Sequence, residues 1–201
     1  MKKTKKQEEE NFFEEGFSSG WRYIKESRDF IYIVSAIFLL FILIGYLVPA
    51  PDFIEKVILE FIENLLSTTE GFSWFQLVGF IFFNNLQSSF FGMVFGIVFG
   101  IFSVITVVVN GYLLGFVSAK MVESQGIVVL WRLLPHGIFE LPAVLISMGL
   151  GLKMGAFIFR KNKVKSLKEF SLKSLKAFFF VIIPLLIIAA LIESTLIFFF
   201  S

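Results

Sequence analysis

The sequence predicts an all-α fold, a polytopic membrane bundle of about five spans with glycine-rich packing and amphipathic helices lying on its surface. Hydrophobic residues make up 57% of the 201 residues, and the 29 phenylalanines are spread over several long runs. Residues 71–119 contain no Asp, Glu, Lys or Arg and are about twice as long as one helix needs to cross a bilayer. Two helices must therefore lie in that tract.

The chain divides into a polar tail with an amphipathic segment, residues 1–28, and a single integral membrane domain, residues 29–201. Apolar runs within that domain predict spans at residues 30–48, 72–91, 92–118, 138–159 and 177–200. Residues 52–66 have apolar side chains at helical spacing and acids on the other side, which predicts an outer amphipathic helix. Anchoring in the membrane interface is the favoured role of such helices, and docking of a partner is the alternative.

Lysine and arginine set the expected orientation. They are concentrated in the tail and in residues 160–176, whereas the opposite connections contain only Lys56, Lys120 and Arg132. Cytoplasmic segments of membrane proteins are rich in Lys and Arg, so the amino terminus is predicted inside the cell and the carboxyl terminus outside.

One short segment holds the polar groups that are most costly in a membrane. Arg132, His136 and Glu140 are spaced i, i+4, i+8, so an uninterrupted helix would place them on one face. Charged and imidazole groups in hydrocarbon usually face a bundle interior or a cavity. Function is therefore expected near His136, the chain's only histidine, and Glu140.

Pro135, Gly137 and Pro142 predict that the helix breaks or starts within this segment. Transporters use broken helices at membrane depth to bind ions or anionic substrates. The alternative is structural: His136 and Glu140 would pair with Asn or Ser of another helix and hold the bundle together.

Uncharged amides form further polar positions. Asn84 and Asn85 favour a tight turn between the second and third spans. Asn110 lies within the third span, and Glu193 lies in the last span on the predicted outer side. These positions predict one shared polar cluster, in which two close carboxylates would share a proton. Its members would be His136, Glu140, Asn110 and Glu193.

Glycines at intervals of four predict close helix contacts. They are Gly92, Gly96 and Gly100, Gly111 and Gly115, and Gly151 and Gly155. The same stripes suit a homo-oligomer. No catalytic residue, metal site or cofactor is predicted, because one His and one Glu lack the second histidine of a zinc motif and there is no cysteine. No nucleic-acid partner is indicated.

Several motifs together resemble the stage II sporulation protein M family of integral membrane proteins, also called DUF95. They are Asn84-Asn85, the segment from Asn110 to Gly115, the segment from Pro135 to Ala143, and Ile192-Glu193 with Thr195. The resemblance implies about five membrane helices and no established catalytic residue. It also implies a scaffold role, since the namesake recruits two cell-wall-degrading proteins to the septal membrane.

The leading hypothesis is a non-enzymatic membrane scaffold or assembly protein whose partners are the lipid bilayer and membrane or cell-envelope proteins. The second hypothesis is an ion- or proton-coupled transporter or channel that uses Glu140 and Glu193. An intramembrane hydrolase with His136 as base is the third, and it is disfavoured because no nucleophile is evident.

Overall fold

A computed structural model describes the backbone of residues 5–200 and their side chains, except those of residues 5–10, 131–137, 139 and 200. In this part of the chain every regular element is helical. The α-helices are α1 (Lys5–Glu26), α2 (Arg28–Leu47), α3 (Asp52–Thr69), α4 (Trp74–Val94), α5 (Ile101–Gln125), α6 (Leu134–Gly155), α7 (Lys163–Ala177) and α8 (Ile183–Phe200). A π-helical turn, Phe178–Ile182, joins α7 to α8.

Five stretches of the described chain are long and apolar enough to cross a membrane. They lie in α2, in α4 with the turn that follows it, in α5, in α6, and in the continuous segment that ends in α8. The prediction of an all-α bundle with five spans is therefore confirmed. Helix α3, the predicted amphipathic helix, extends three residues further than predicted, to Thr69.

The helix directions follow from pairs of contacting residues. Along α2 and α5 the contacts advance together, Gly111 lying against Phe38 and Gly115 against Ile42, so these helices are parallel. Helices α4 and α6 are also parallel: the Ser147 hydroxyl donates to the Ser89 carbonyl (2.8 Å), and Gly151 lies against Met93.

Helix α8 runs antiparallel to α4, because Trp74 contacts Thr195 whereas Phe90 contacts Phe178. Helix α6 runs antiparallel to α2, since Lys153 bonds Ser27 and Gly149 lies against Ile31. Thus α2, α5 and α8 run one way and α4 and α6 the other. The bundle has an α1 end, where α2 begins, and an α3 end, where α8 finishes.

Helix α6 lies at the centre of this arrangement. Ala143, Ser147, Met148 and Leu150 on α6 are completely inaccessible to solvent. One side of the helix joins a core with α4, α8 and the π-helical turn, and the other joins a core that contains Val34 of α2 and residues of α5. Burial on both sides explains why α6 is apolar nearly all round.

The turn between the second and third spans is not where the amides predicted it. Asn84 and Asn85 lie inside α4, which continues to Val94, and the chain reverses over residues 95–100. Phe99 and Gly100 have φ of 54° and 75°, and glycine adopts this left-handed backbone without strain from a side chain. The third span accordingly begins at Ile101 rather than residue 92.

The predicted helix break is only partly right. Helix α6 begins at Leu134, after a 3₁₀ segment over Ile127–Leu133, so Pro135 lies in its first turn, where no helical N–H partner is lost. The helix then continues through Gly137 and Pro142, and the prediction of breaks at those two residues is wrong. A proline inside a membrane helix leaves one backbone carbonyl without its helical hydrogen bond, and this is tolerated when groups of neighbouring helices satisfy that carbonyl.

The glycines make close contacts, although not all in the predicted stripes. Gly92, Gly96 and Gly100 do not share one helix, since they lie on α4, on the turn and at the start of α5. All three nevertheless face α6: a Cβ on Gly96 would lie 2.6 Å from the Cα of Gly151. Gly155 lies against Gly96 and Phe99 of the same turn, and Gly111 and Gly115 lie against α2. Close packing is thus within one chain.

We expect Gly115→Ala to destabilise the bundle by about 1–3 kcal/mol, because the new methyl would lie 3.0 Å from the Cα of Ile42 and closer still to its carbonyl group. Gly79→Ala is the matched control, since a Cβ there has no neighbour within 4 Å. It should stabilise α4 by about 0.4–1 kcal/mol. Unfolding in mixed micelles measures both, and equal effects would contradict the close α2–α5 contact.

Candidate functional sites

Glu140 and Glu193 both lie in the half of the bundle nearer its α3 end. Glu140 is about 9 Å along α6 from its start, and Glu193 is about 10 Å before the end of α8. Both of these helix termini belong to the α3 end. Glu140 is 6% exposed, Glu193 is half-buried, and each makes a hydrogen-bonding or electrostatic interaction within the protein. Two acids therefore occupy the same half of the bundle.

Asn110 does not belong to this buried region. Its side chain is exposed on α5, where its amide donates to the Thr106 carbonyl of its own helix (2.8 Å). The expectation that Asn110 joins Glu140 and Glu193 in one internal cluster is therefore wrong. A sequence shows that an amide lies within a span, but the rotation of the helix decides whether it points inward. The side chains of Arg132, Pro135, His136 and Gly137 lie outside the described residues.

The amides of the long apolar tract instead line a groove on the outside of the bundle. This groove between α4 and α5 has a volume of about 300 Å³. Its polar lining comes from Asn84, Gln87 and Ser88 of α4 and Thr106 of α5, and Phe91, Phe95 and Phe102 form its apolar part. Asn85, next to Asn84, is half-buried. The groove is uncharged, and Asn84 lies at the midpoint of α4.

A buried lysine that the sequence analysis did not single out lies at the α1 end. Lys153, 7% exposed near the end of α6, donates from its ammonium to the Ser27 Oγ (2.9 Å) and the Glu26 carbonyl (3.3 Å). The same ammonium lies 4.1 Å from the centre of the Tyr23 ring and 5.8 Å from that of Phe170. We call these five residues the Lys153 cage. They join α1, α6 and α7 by hydrogen bonds and cation–π contacts.

A further hydrogen bond within the Lys153 cage fixes the position of Ser27. The Ser27 hydroxyl donates to the Tyr23 carbonyl (2.6 Å), and this holds the Ser27 oxygen in place to accept the hydrogen bond from Lys153. Burial raises the pKa of Tyr23 to about 12, so its phenol is neutral at physiological pH. The signal in the sequence was available: Lys153 is the one basic residue among residues 138–159. Averaging hydropathy over a span hides a single charge of this kind.

Helix α3 is nearly unpacked against the bundle. None of its residues is buried, and its apolar side chains Phe53, Val57 and Phe61 are more than half exposed. An ion pair between Glu55 and Lys120 of α5 (2.7 Å) connects it to the bundle. Its acidic side lines a shallow surface groove with Asp52, Glu55, Glu60 and Glu63. Helix α3 thus presents both an apolar and an acidic face.

Comparison with known proteins decides the family. The family model described as stage II sporulation protein M matches residues 34–196, from α2 to near the end of α8. The chain belongs to the stage II sporulation protein M family. Neither the comparison with curated proteins nor that with solved structures gave a significant match. The matched region of this family member contains three of the five apolar stretches in full, most of the first and fifth, the α4–α5 groove, Glu140 and Glu193.

We expect the Lys153 cage to stabilise the family member through Tyr23. Tyr23→Leu removes the ring beside the ammonium and leaves a buried charge with fewer partners, so it should destabilise the protein by about 1–3 kcal/mol. Tyr23→Phe keeps the ring and should have a smaller effect. In a Lys153→Met background, Tyr23→Leu should cost about 0.5–2 kcal/mol less. Unfolding in micelles of the wild type, Tyr23→Leu, Lys153→Met and the double variant completes this double-mutant cycle. Additive effects of the two substitutions would contradict the contact.

Proposed function

We propose that this protein is a non-enzymatic scaffold that holds other membrane or cell-envelope proteins at the membrane. The observation that carries the proposal is α6, which runs as one helix from Leu134 to Gly155 with its central residues fully buried. A solid central helix suits a rigid platform, because packed cores keep their shape while surfaces bind.

Helix α3 is the proposed contact for an extramembrane partner. It lies at one end of the bundle and exposes Phe53, Val57 and Phe61 beside an acidic side that includes Glu60 and Glu63. An amphipathic helix whose apolar side chains do not pack against the bundle suits docking of a partner protein as well as burial in lipid. The acidic side favours a partner with basic groups.

A transporter is the second candidate function, and Glu140 and Glu193 favour it. A buried acid and a half-buried acid in the same half of a membrane bundle are groups that can carry a proton or a cation. The transporter hypothesis relied on a discontinuous helix at membrane depth. That support is weakened, since α6 begins beside Pro135 but does not break at Gly137 or Pro142. The scaffold therefore remains the better supported function.

Site-specific photo-crosslinking tests the scaffold in native membranes. A benzophenone amino acid at Phe61 should give adducts with other proteins, whereas the same probe at Leu39, an equally exposed residue in the middle of α2, should give mainly lipid adducts or none. Glu140→Gln should leave the Phe61 adducts unchanged if the protein folds. A scaffold role is excluded if Phe61 gives no more protein adducts than Leu39.

Flux measurements on the same Glu140→Gln protein separate the two functions. A transporter should move protons or cations in wild-type proteoliposomes and lose this flux when the acid becomes an amide. A scaffold should show no flux that depends on Glu140. Flux in the wild type that Glu140→Gln abolishes, with folding intact by circular dichroism, would overturn the scaffold as the main function.

We also propose that α1 faces the cytoplasm, on the basis of its lysines and those of α7. The absence of cysteine gives a clean test. In intact cells, a membrane-impermeant maleimide should label Glu63→Cys on α3, whereas Ser18→Cys on α1 should react only after the membrane is opened. Both residues are exposed, so accessibility within the protein does not limit labelling. The reverse pattern would invert the orientation.

A further inference from the structure

We propose that the polar groove between α4 and α5 is the interface of a homodimer, in which a second copy of this chain meets the same groove across a two-fold axis. The groove faces away from the bundle, and its amides come from the middle of a helix that is long enough to span the membrane. This dimer does not require the scaffold function proposed above.

The first argument is the hydrogen bonding of the groove. Asn84 and Gln87 are exposed, and neither side chain has a hydrogen-bond partner among the described residues. At this depth water is absent, so an amide that points at lipid loses all four of its hydrogen bonds. Association with another polar surface restores them, and such bonds hold membrane helices together.

The second argument identifies the occupant. An amide both donates and accepts, so Asn84 and Gln87 can pair with the same residues of another copy. The groove contains no charged side chain, so two copies meet without repulsion. A two-fold interface requires a surface complementary to itself, and uncharged amides meet that condition. A basic or acidic partner helix would find no opposite charge here.

The third argument is that close glycine packing is already used inside the chain. Gly92, Gly96 and Gly100 face α6, and Gly111 and Gly115 face α2. Association of two copies therefore cannot use these stripes without opening the bundle. The amides of α4 are the polar alternative on the outer surface, and Phe91 and Phe95, both exposed, supply apolar contact beside them.

Disulfide trapping tests the interface in membranes. In the cysteine-free chain, Phe91→Cys, one helical turn from Gln87 in the same groove, keeps both amides and should give a covalent dimer on mild oxidation. Leu40→Cys, on the exposed surface of α2, is the matched control and should remain monomeric. Trapping at residue 40 but not at residue 91 would overturn the proposal.

The energetic test uses Asn84→Leu with Gln87→Leu in the otherwise unchanged chain. Leucine suits a lipid-exposed helix surface, so the monomer should fold, and circular dichroism with thermal melting verifies this. Dimerisation in nanodiscs or micelles, measured by energy transfer between labelled copies, should weaken at least tenfold, since two amide pairs are lost. Leu39→Ala with Leu40→Ala should leave it unchanged. Wild-type protein that is monomeric throughout, or that captures another membrane protein at the groove, contradicts a homodimer.

Discussion

The close approach of helix backbones at glycine is the constraint on which the rest of the bundle depends. Lipid tails are as apolar as leucine, so membrane helices gain little from hydrophobic burial and associate through tight packing. Gly151 and Gly155 bring α6 against the α4–α5 turn, and Gly111 and Gly115 bring α5 against α2. Helix α6 also packs against α2 and α5, so both glycine contacts belong to one continuous set of packed helices.

The Lys153 cage extends this packing from the membrane to the water-exposed layer. Helices α1 and α7 are polar enough to lie at the bundle's end, and they need a specific contact to hold one orientation. Lys153 supplies it, since its ammonium bonds Ser27 and lies beside Tyr23 and Phe170. Gly20 against Ala177 adds a backbone contact between α1 and the end of α7. The Lys153 ammonium thus links α1 and α7 to the membrane helices of the bundle.

The features of this fold that follow from length and composition could be predicted from the sequence. Those that depend on the direction in which a side chain points could not. Long apolar runs require helices that span a membrane, so the five spans could be predicted. A tract that is apolar throughout contains few turn-forming residues, which is why Asn84-Asn85 gives a wrong prediction of the turn that the structure has at Gly100. The rotation of α5, which exposes Asn110, and the burial of Lys153 follow from tertiary contacts that no single run of residues reveals.

The two sets of polar groups suggest how a small bundle could assemble others. Glu140 and Glu193 lie within the fold, whereas Asn84 and Gln87 lie on its lateral surface. A dimer through the lateral amides would carry two copies of α3 at the same end. A partner with two matching sites would then bind the second α3 at a raised effective concentration, which strengthens binding without any new contact. If both proposals hold, weak docking on an exposed amphipathic helix would suffice for a scaffold, because dimerisation would supply the additional affinity.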